Sequence, residues 1–324
     1  MRVVVSGASG LIGSALVPHL AARHDVVRLV RRTASAGESQ WDPARGVVDA
    51  DVVGGADAIV HLSGAGIGDK RWSNSYKREI LDSRVKSTKL LASVIAGAAR
   101  RPSVFLSGSA IGFYGARGDE VLDESSAAGD GFLADVCREW EAAAGGAGTR
   151  TVFLRTGIVL SPKGGALKKQ LPLFRAGLGG KFGRGDQWQS WISIDDEVAA
   201  ISHLLTSDVH GPVNLTAPAA VTNADFAVVL GKVLRRPALL PVPSFGPKLL
   251  LGGELADALL FTGQRVIPRA LSSSGYQFAH PTLEIALRAL LARLGDASRR
   301  EPASVTGRRG DRRRRAREIG RVHV

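Results

Sequence analysis

The glycine-rich stretch at the beginning of the chain, VVVSGASGLIGSAL over residues 3–16, constrains the fold more than any other feature. Apolar and small residues lead into three glycines, and apolar residues then recur at helical spacing, which predicts a strand, a tight turn and a helix. Glycine permits the strained backbone of such a turn and the close approach of a pyrophosphate, although a glycine turn can also be purely structural. The N–H groups at the start of the helix would face the phosphates. We therefore predict a dinucleotide site that includes Gly7, Ser9, Gly10, Leu11, Ile12 and Gly13.

The end of the next predicted strand, DVVRLVRR at residues 25–32, indicates which dinucleotide is bound. An acidic residue at this position would accept hydrogen bonds from the ribose 2′-hydroxyl and repel a 2′-phosphate. The chain has Arg31 and Arg32 there instead, and guanidinium groups suit a phosphate and stack on adenine. The pair favours NADP(H) over NAD(H), the alternative being that both arginines only solvate the end of a strand.

Length and composition indicate a globular protein with one large domain and a smaller appendage. A chain of 324 residues with 44% hydrophobic content can bury a substantial core. No targeting signal is expected, because the first residues already belong to a predicted strand, and no apolar run reaches the roughly 18 residues that cross a bilayer. The single cysteine, Cys137, excludes an intrachain disulfide and fits a reducing compartment. We expect a cytoplasmic protein without a membrane segment.

The net charge of +13 is concentrated at the end of the chain. Residues 299–324 contain ten arginines and three acidic residues, so they carry seven of the surplus positive charges. This segment has few apolar residues and is typical of a disordered, solvated extension. It could attract nucleic acid nonspecifically through phosphate contacts, but it does not have the composition of a folded nucleic-acid-binding module.

Strand-like and helix-like segments alternate along the chain, which is typical of a doubly wound parallel sheet. The sequence predicts strands near 57–62, 102–110 and 150–160, and helices at 74–98 and 132–144. After residue 160 glycine and proline become frequent, as in a separate lobe that covers a substrate.

These segments predict an α/β fold, a Rossmann-like doubly wound parallel sheet with a smaller C-terminal α/β lobe. Residues 1–160 would form the NADP(H)-binding domain, to which some later segments return. The substrate lobe and a small terminal domain would occupy residues 161–292. Residues 293–324 would form the basic tail, which we expect to be disordered.

Six segments in this order resemble the extended short-chain dehydrogenase/reductase superfamily, and within it an atypical branch of epimerase-like proteins. The segments are GAGIGDKRW (64–72), DSRVKST (82–88), SAIGFYG (109–115), FLADVCREWEAAA (132–144), WISIDDEVAAI (191–201) and GQRVIPRAL (263–271). The resemblance extends to about residue 292, and residues 245–292 resemble the small terminal domain of that branch. It implies a nicotinamide cofactor bound at the carboxyl ends of the strands.

The usual catalytic pair of this superfamily is absent from the sequence. In its typical members a Tyr-x-x-x-Lys pair moves a proton during hydride transfer, because the lysine ammonium lowers the pKa of the tyrosine. No lysine occurs between Lys89 and Lys163, so the pair cannot lie on the helix predicted at 132–144. When that helix is aligned on the family pattern, Leu133 and Cys137 stand where the tyrosine and lysine would be. The atypical branch shares this absence.

Two side chains near the end of the strand at 102–110 are candidates to replace the pair. Ser109 lies where a hydroxyl normally faces the substrate, and Tyr114 follows within one short turn. Tyr114 could donate a proton if its ring points into the cleft, but no lysine is near enough in sequence to lower its pKa. Cys137 could also face the nicotinamide, whereas a lone cysteine on a helix is more often a small buried hydrophobe.

Further cofactor contacts are carried over from the resemblance to positions at the strand ends and on the long helix. A solvated Glu/Arg face is an equally good reading of the two helix positions. The positions are Leu62, Ser63, Gly64 and Ala65 after the third predicted strand, Glu79 and Arg84 on the helix, Ser107 on the next strand, and Gly157 and Ile158 beside the nicotinamide.

Two functions from different classes remain open. The first is an atypical oxidoreductase or epimerase that moves a hydride to or from a small polar substrate. The second is a catalytically silent NADP(H)-binding protein that senses redox state or serves as an interaction partner. The missing pair favours the second function and the preserved substrate lobe favours the first. No metal site is expected, and neither the substrate nor the oligomeric state can be read from the sequence.

Overall fold

The computed structural model describes residues 1–300, and their side chains as far as residue 293. The thirteen described strands are β1 (Arg2–Ser6), β2 (Asp25–Val30), β3 (Glu38–Gln40), β4 (Ala58–His61), β5 (Val104–Ala110), β6 (Val121–Leu122), β7 (Arg150–Thr156), β8 (Ile158–Leu160), β9 (Trp188–Gln189), β10 (Trp191–Ser193), β11 (Gly211–Leu215), β12 (Val221–Thr222) and β13 (Arg265–Val266). The α-helices are α1 (Leu11–Ala21), α2 (Ala50–Gly54), α3 (Asn74–Gly97), α4 (Phe132–Ala144), α5 (Gly165–Arg175), α6 (Ile194–Thr206), α7 (Asn223–Leu234), α8 (Phe245–Leu251), α9 (Gly253–Ala256), α10 (Arg269–Ser273) and α11 (Leu283–Arg300).

A seven-stranded sheet in the order β11-β7-β5-β4-β1-β2-β3 forms the centre of the fold, and all of its strand pairs are parallel. One face packs against α1 and α6 through buried residues such as Leu16 and Ile201. The other face packs against α2 and α3 through residues such as Val53 and Leu91. The prediction of a Rossmann-like doubly wound parallel sheet is confirmed.

Most of the predicted segments coincide with elements of the structure. Helix α4 has the predicted bounds, and α3 ends one residue before the predicted end. The strand predicted at 150–160 is instead divided at Gly157 into β7 and β8. The division arises because the Gly157 N–H donates to Leu215 O, while the next N–H, of Ile158, donates to Ser190 O and so leads the chain toward β10. A Cβ at position 157 would lie 2.6 Å from Ser190 O, so only glycine fits there.

After β8 the chain still contributes to the central unit, because α6 packs on one face of the sheet and β11 returns to its edge beside β7. The division into a cofactor domain and a substrate lobe stays a prediction. Helices α7 and α11 pack together, and Phe226 and Leu287 belong to the same buried cluster as α1 and α6. Helix α11 continues to Arg300, and so includes the first residues of the segment predicted as a tail from 293. Arg293 donates to Asp195 at 2.8 Å, which explains order at the predicted boundary. The remainder of the predicted tail, 301–324, lies outside the described residues.

No helix within residues 1–300 combines the length and the apolar character that a membrane crossing requires.

Candidate functional site

The predicted glycine turn joins β1 to α1 at the carboxyl edge of the central sheet. Gly7 has a φ of +72°, and a Cβ there would lie 2.6 Å from the carbonyl carbon of Leu62. A Cβ at Gly13 would lie 2.2 Å from Gly7 O, so both glycines are required by the packing of the protein itself. Gly10 differs, because a Cβ there would meet only Gly7 O, at 3.3 Å. The surface at Gly10 is therefore left open for a ligand.

The N-terminus of α1 is suited to an anion. Gly10 is its N-cap residue, and no side chain accepts a hydrogen bond from the N–H groups of the first turn. The first turn also contains no acidic residue, so nothing there neutralises the positive end of the helix dipole. Such an uncapped helix start after a glycine turn is the arrangement that binds the phosphates of a dinucleotide.

A buried histidine that the sequence analysis missed supports this turn. His61 is the last residue of β4, and its Nδ1 lies 2.6 Å from the hydroxyl of Ser6. Its Nε2 lies 3.0 Å from Thr88 Oγ1 and 3.1 Å from Ser87 Oγ, both on α3. Burial, with a smaller contribution from the charge of Arg84, lowers the pKa of His61 to about 3, so the ring is neutral at physiological pH. The signal in the sequence was a polar residue at the end of the apolar strand AIVH.

Arg84 is in contact with the turn after β4. The guanidinium is buried, its Nη1 donates to Ala65 O and Ile80 O at 3.0 Å, and its Cζ lies 5.0 Å from the centre of the Trp140 ring. A Cβ at Gly64 would lie 3.0 Å from that Cζ. Among the described residues no carboxylate pairs with Arg84, and burial lowers its pKa. The site therefore holds a cation that no carboxylate of the described chain neutralises.

The other helix position, Glu79, is not brought to this turn. Its carboxylate is exposed and pairs with Lys70 at 3.4 Å. Of the two predicted helix positions, only Arg84 contacts the turn after β4.

Arg31 and Arg32 follow β2 and are both exposed. Arg32 donates from Nη1 and Nη2 to the two carboxylate oxygens of Glu38, at 2.6 and 2.7 Å. The hydrogen bond from Arg32 and a backbone N–H from Ser35 lower the pKa of Glu38 to about 2. Glu38 was not singled out from the sequence, because nothing in its local pattern indicates that β3 pairs with β2.

Ser109 and Tyr114 both lie in one buried hydrogen-bond network. Ser109 donates to Glu141 at 2.6 Å, and Arg155 donates to both oxygens of Glu141, at 2.8 and 2.9 Å. Tyr114 accepts from Arg155 Nη1 at 3.0 Å and donates to Asn214 Oδ1 at 2.7 Å. This network joins α4, β5, β7 and β11.

Neither Tyr114 nor Cys137 lies in an environment that favours proton donation at neutral pH. Tyr114 is fully buried, and burial raises its pKa even though Arg155 opposes this effect. The thiol of Cys137 is also buried, lies 3.6 Å from Ala110 O, and has a pKa raised by burial to about 11. The contacts of Cys137 are those of the small buried hydrophobe considered above. The catalytic assignment of Ser109 and Tyr114 stays a prediction.

Three buried oxygens at the carboxyl edge have no hydrogen-bond partner among the described residues: Ser107 Oγ, Glu197 Oε2 and Thr216 Oγ1. Glu197, on α6, was not predicted as a site residue. Its other carboxyl oxygen accepts a hydrogen bond from Thr156, the residue before Gly157, and burial raises its pKa to about 8. Of the described residues, no three His, Cys, Asp or Glu side chains gather as a metal site would require.

Comparisons with known proteins agree with this architecture. A model of the NAD dependent epimerase/dehydratase family matches residues 3–216, and a domain of unknown function (DUF1731) matches residues 242–290. The epimerase family protein ML0860 of Mycobacterium leprae is 45% identical over 291 residues, which cover 88% of this chain and 94% of that protein.

Among the solved structures that resemble this chain, two cover nine-tenths or more of it. Human epimerase family protein SDR39U1, crystallised with NADPH, is 38% identical, with a TM-score of 0.83 and coverage of 90% of this chain and 99% of that chain. The nucleoside-diphosphate sugar epimerase from Corynebacterium glutamicum is 37% identical, with a TM-score of 0.73 and coverage of 93% of this chain and 60% of that chain.

The parallel sheet and its glycine turn define a Rossmann-fold protein of the atypical short-chain dehydrogenase/reductase class. The chain belongs to the NAD dependent epimerase/dehydratase family. Its residues 242–290 match the domain of unknown function named above. The resemblance inferred from the six sequence segments is thereby confirmed.

Proposed function

We propose that this protein binds NADP(H) at the carboxyl edge of the central sheet and uses it in oxidoreductase or epimerase chemistry on a small polar substrate. The observation that carries the proposal is the uncapped N-terminus of α1 behind the Gly7 turn, with Arg31 and Arg32 at the end of the neighbouring strand β2. The same family includes a relative crystallised with NADPH. NADP(H), when bound, supplies or accepts a hydride.

Different residues along this edge of the sheet would bind different parts of the cofactor, each suited to its chemistry. The N–H groups after Gly10 would hold the pyrophosphate, and Arg31 and Arg32 the 2′-phosphate of the adenosine ribose. Arg84 would donate to oxygens of the cofactor in the middle of the edge, where it has no carboxylate partner among the described residues. Ser107, Gly157 and Ile158 would border the nicotinamide.

A second candidate function is a catalytically silent NADP(H)-binding protein that senses redox state. One observation favours it: the hydroxyls of Ser109 and Tyr114 are already engaged by Glu141 and Asn214 within the core. Both candidate functions require the same cofactor site, and a measurement of turnover distinguishes them.

The substrate would be a small molecule, and the single cysteine, Cys137, supports a reducing compartment such as the cytoplasm. Contact of the basic tail with nucleic acid would be nonspecific.

The cofactor proposal is tested by titrating NADPH and NADH against the protein and against a variant with Arg31→Ala and Arg32→Ala. The unaltered protein should bind NADPH more tightly. The variant should lose about 1–3 kcal/mol of NADPH binding free energy for each contact removed and keep its NADH affinity. Equal affinities of the unaltered protein for both cofactors would refute the preference.

A further inference from the structure

The loop between β2 and β3 is folded back onto the carboxylate of Glu38. Besides the two hydrogen bonds from Arg32, the Ser35 N–H donates to Glu38 Oε2 at 2.9 Å and the Glu38 N–H donates to Ser35 O at 3.0 Å. Arg28, on β2, adds an ion pair at 2.9 Å. The Glu38 side chain is fully covered in these contacts, while the Arg32 side chain remains 61% exposed. The acid is therefore a fixed element of this loop.

These contacts use one edge of the Arg32 guanidinium and leave the other unused. Nη1 donates to Thr33 O and to Glu38, and Nη2 gives one hydrogen to Glu38. A guanidinium has five N–H donors in a fixed planar fork. Nε and the second hydrogen of Nη2 therefore remain, and no hydrogen bond from them to a described residue is present. These two donors form a parallel pair of the kind that binds phosphate oxygens bidentately.

We propose that Glu38 is a positioning residue for cofactor selectivity: it fixes the Nη1–Nη2 end of Arg32 so that the Nε–Nη2 edge faces the 2′-phosphate of NADP(H). This inference rests on the proposed function. An acidic residue near the adenosine ribose ordinarily favours NAD(H), because it repels the 2′-phosphate. Here the charge of Glu38 is offset by Arg28 and Arg32, and Arg31 adds a further positive charge. The acid then orders the binding group instead of excluding its ligand.

The alternative role for Glu38 is competition, and it predicts the opposite effect. If Glu38 withheld Arg32 from the phosphate, its removal would free the guanidinium and raise the positive potential, so NADP(H) would bind more tightly. If Glu38 positions Arg32, removal of Glu38 lets the long Arg32 side chain sample many rotamers. Binding must then order that side chain, and the affinity for NADP(H) falls. The direction of the change in selectivity therefore decides between the two roles.

The experiment uses cofactor fragments, so that its readout does not depend on hydride chemistry. Calorimetric titrations with 2′,5′-ADP and 5′-AMP would be made on the whole protein, on Glu38→Ala and on Glu38→Gln. For Glu38→Ala we expect the preference for 2′,5′-ADP to fall about two- to tenfold, the equivalent of ordering one long side chain. Glu38→Gln keeps an oxygen acceptor of the same shape and should restore part of the preference. Affinity for 5′-AMP should not change.

A matched control is available on a distant loop. Glu120 accepts a bidentate pair from Arg117, at 2.8 Å for both contacts, and Glu120→Ala removes an exposed Arg–Glu pair of the same kind. It should leave the preference unchanged. An unchanged or larger preference in Glu38→Ala would overturn the positioning role and leave the proposed function intact. If the unaltered protein did not prefer 2′,5′-ADP, both the proposed cofactor selectivity and the role of Glu38 would be refuted.

Discussion

The hydroxyl of Thr156 donates a hydrogen bond of 3.0 Å to a carboxyl oxygen of Glu197, and this is the single hydrogen bond from the described residues to that buried side chain. Thr156 ends β7 at the candidate nicotinamide edge, and Glu197 lies in the first turn of α6. The pair therefore joins the cofactor edge of the sheet to the helix behind it. Burial opposes the charge of a carboxyl group in this setting and favours its protonated form.

The first prediction is a pH dependence of stability that Glu197→Gln removes. Burial raises the pKa of Glu197 to about 8 from its ordinary 4.5. Between these values the unfolded chain releases the proton and the folded chain keeps it. The free energy of unfolding should therefore fall as pH rises through this window, by at most ~1.4 kcal/mol per pH unit, and the loss should be constant above it. Relative to the parent, Glu197→Gln should gain stability between pH 5 and pH 8.

The measurement is urea unfolding of both proteins across that pH range. Glu139→Gln, an exposed position on α4, serves as the matched control and should follow the parent at every pH. Parallel curves for the parent and Glu197→Gln would show that the carboxyl group ionises in the folded state near its ordinary pKa.

The second prediction concerns the open surface at Gly10. An alanine there meets only Gly7 O, at 3.3 Å, so the fold should tolerate Gly10→Ala with a small loss of stability. A pyrophosphate that passes over Gly10 would meet the added methyl group, and affinity for NADPH and NADH should fall alike, by roughly 1–3 kcal/mol. Fluorescence titration measures both affinities. Gly97→Ala, which places a methyl group in open space on α3, should change neither.

The third prediction separates stability from binding at Arg84. The guanidinium is buried without a carboxylate partner in the described part of the chain, so Arg84→Met removes a costly charge while it keeps much of the volume. We expect the free energy of unfolding to be maintained or increased. NADPH affinity should fall by about 1.5–3 kcal/mol, the usual value of a hydrogen bond to a charged group. Thermal unfolding and cofactor titration of the same samples test both parts.

A suitable control for this change is Arg78→Met, an exposed position on the same helix. Loss of stability in Arg84→Met without loss of NADPH affinity would show that Arg84 serves to hold the turn after β4 and does not bind the cofactor.

Local patterns in the sequence were sufficient for the central sheet but not for the contacts that shape its edge. The bounds of α4 follow from its own apolar spacing, and the glycine turn from the residues around Gly7. The break at Gly157 depends on Ser190 O, a backbone atom of a segment thirty-three positions away. The hydrogen bond between Tyr114 and Asn214 spans 100 positions. Such contacts are set by the topology of the sheet, and no local periodicity reports them.

The same distinction explains why the catalytic assignment of Ser109 and Tyr114 stays a prediction. The sequence correctly excludes a Tyr-x-x-x-Lys pair, because the lysine is missing from the whole region around α4. It does not reveal that Glu141 and Arg155 form a buried ion pair there, and that this pair takes up the hydroxyls of Ser109 and Tyr114. Glu141 lies on α4 and Arg155 on β7, fourteen positions apart, and only the folded structure brings them together.

The last prediction concerns turnover. Reduction of a carbonyl needs a proton donor against the developing alkoxide, and a positioned general acid typically contributes ~10²- to 10⁴-fold in rate. Because the Tyr114 hydroxyl is buried in its network and burial raises its pKa, we expect NADPH oxidation with simple carbonyls or sugar nucleotides to be slow or undetectable. Absorbance at the NADPH band measures this directly.

Where a substrate does turn over, Tyr114→Phe should lower the rate more than Cys137→Ala does, since only the phenol resembles the missing acid chemically. Tyr114→Phe also leaves Arg155 Nη1 and Asn214 Oδ1 without their hydroxyl partner, at a cost of about 1–3 kcal/mol in the free energy of unfolding. Rates must therefore be compared at a temperature where circular dichroism shows all variants folded. A proton donor in the network gives a rate loss beyond the fraction unfolded, together with an altered pH profile of kcat. Fast turnover that survives Tyr114→Phe combined with Ser109→Ala would show that the proton comes from another group or from the substrate itself.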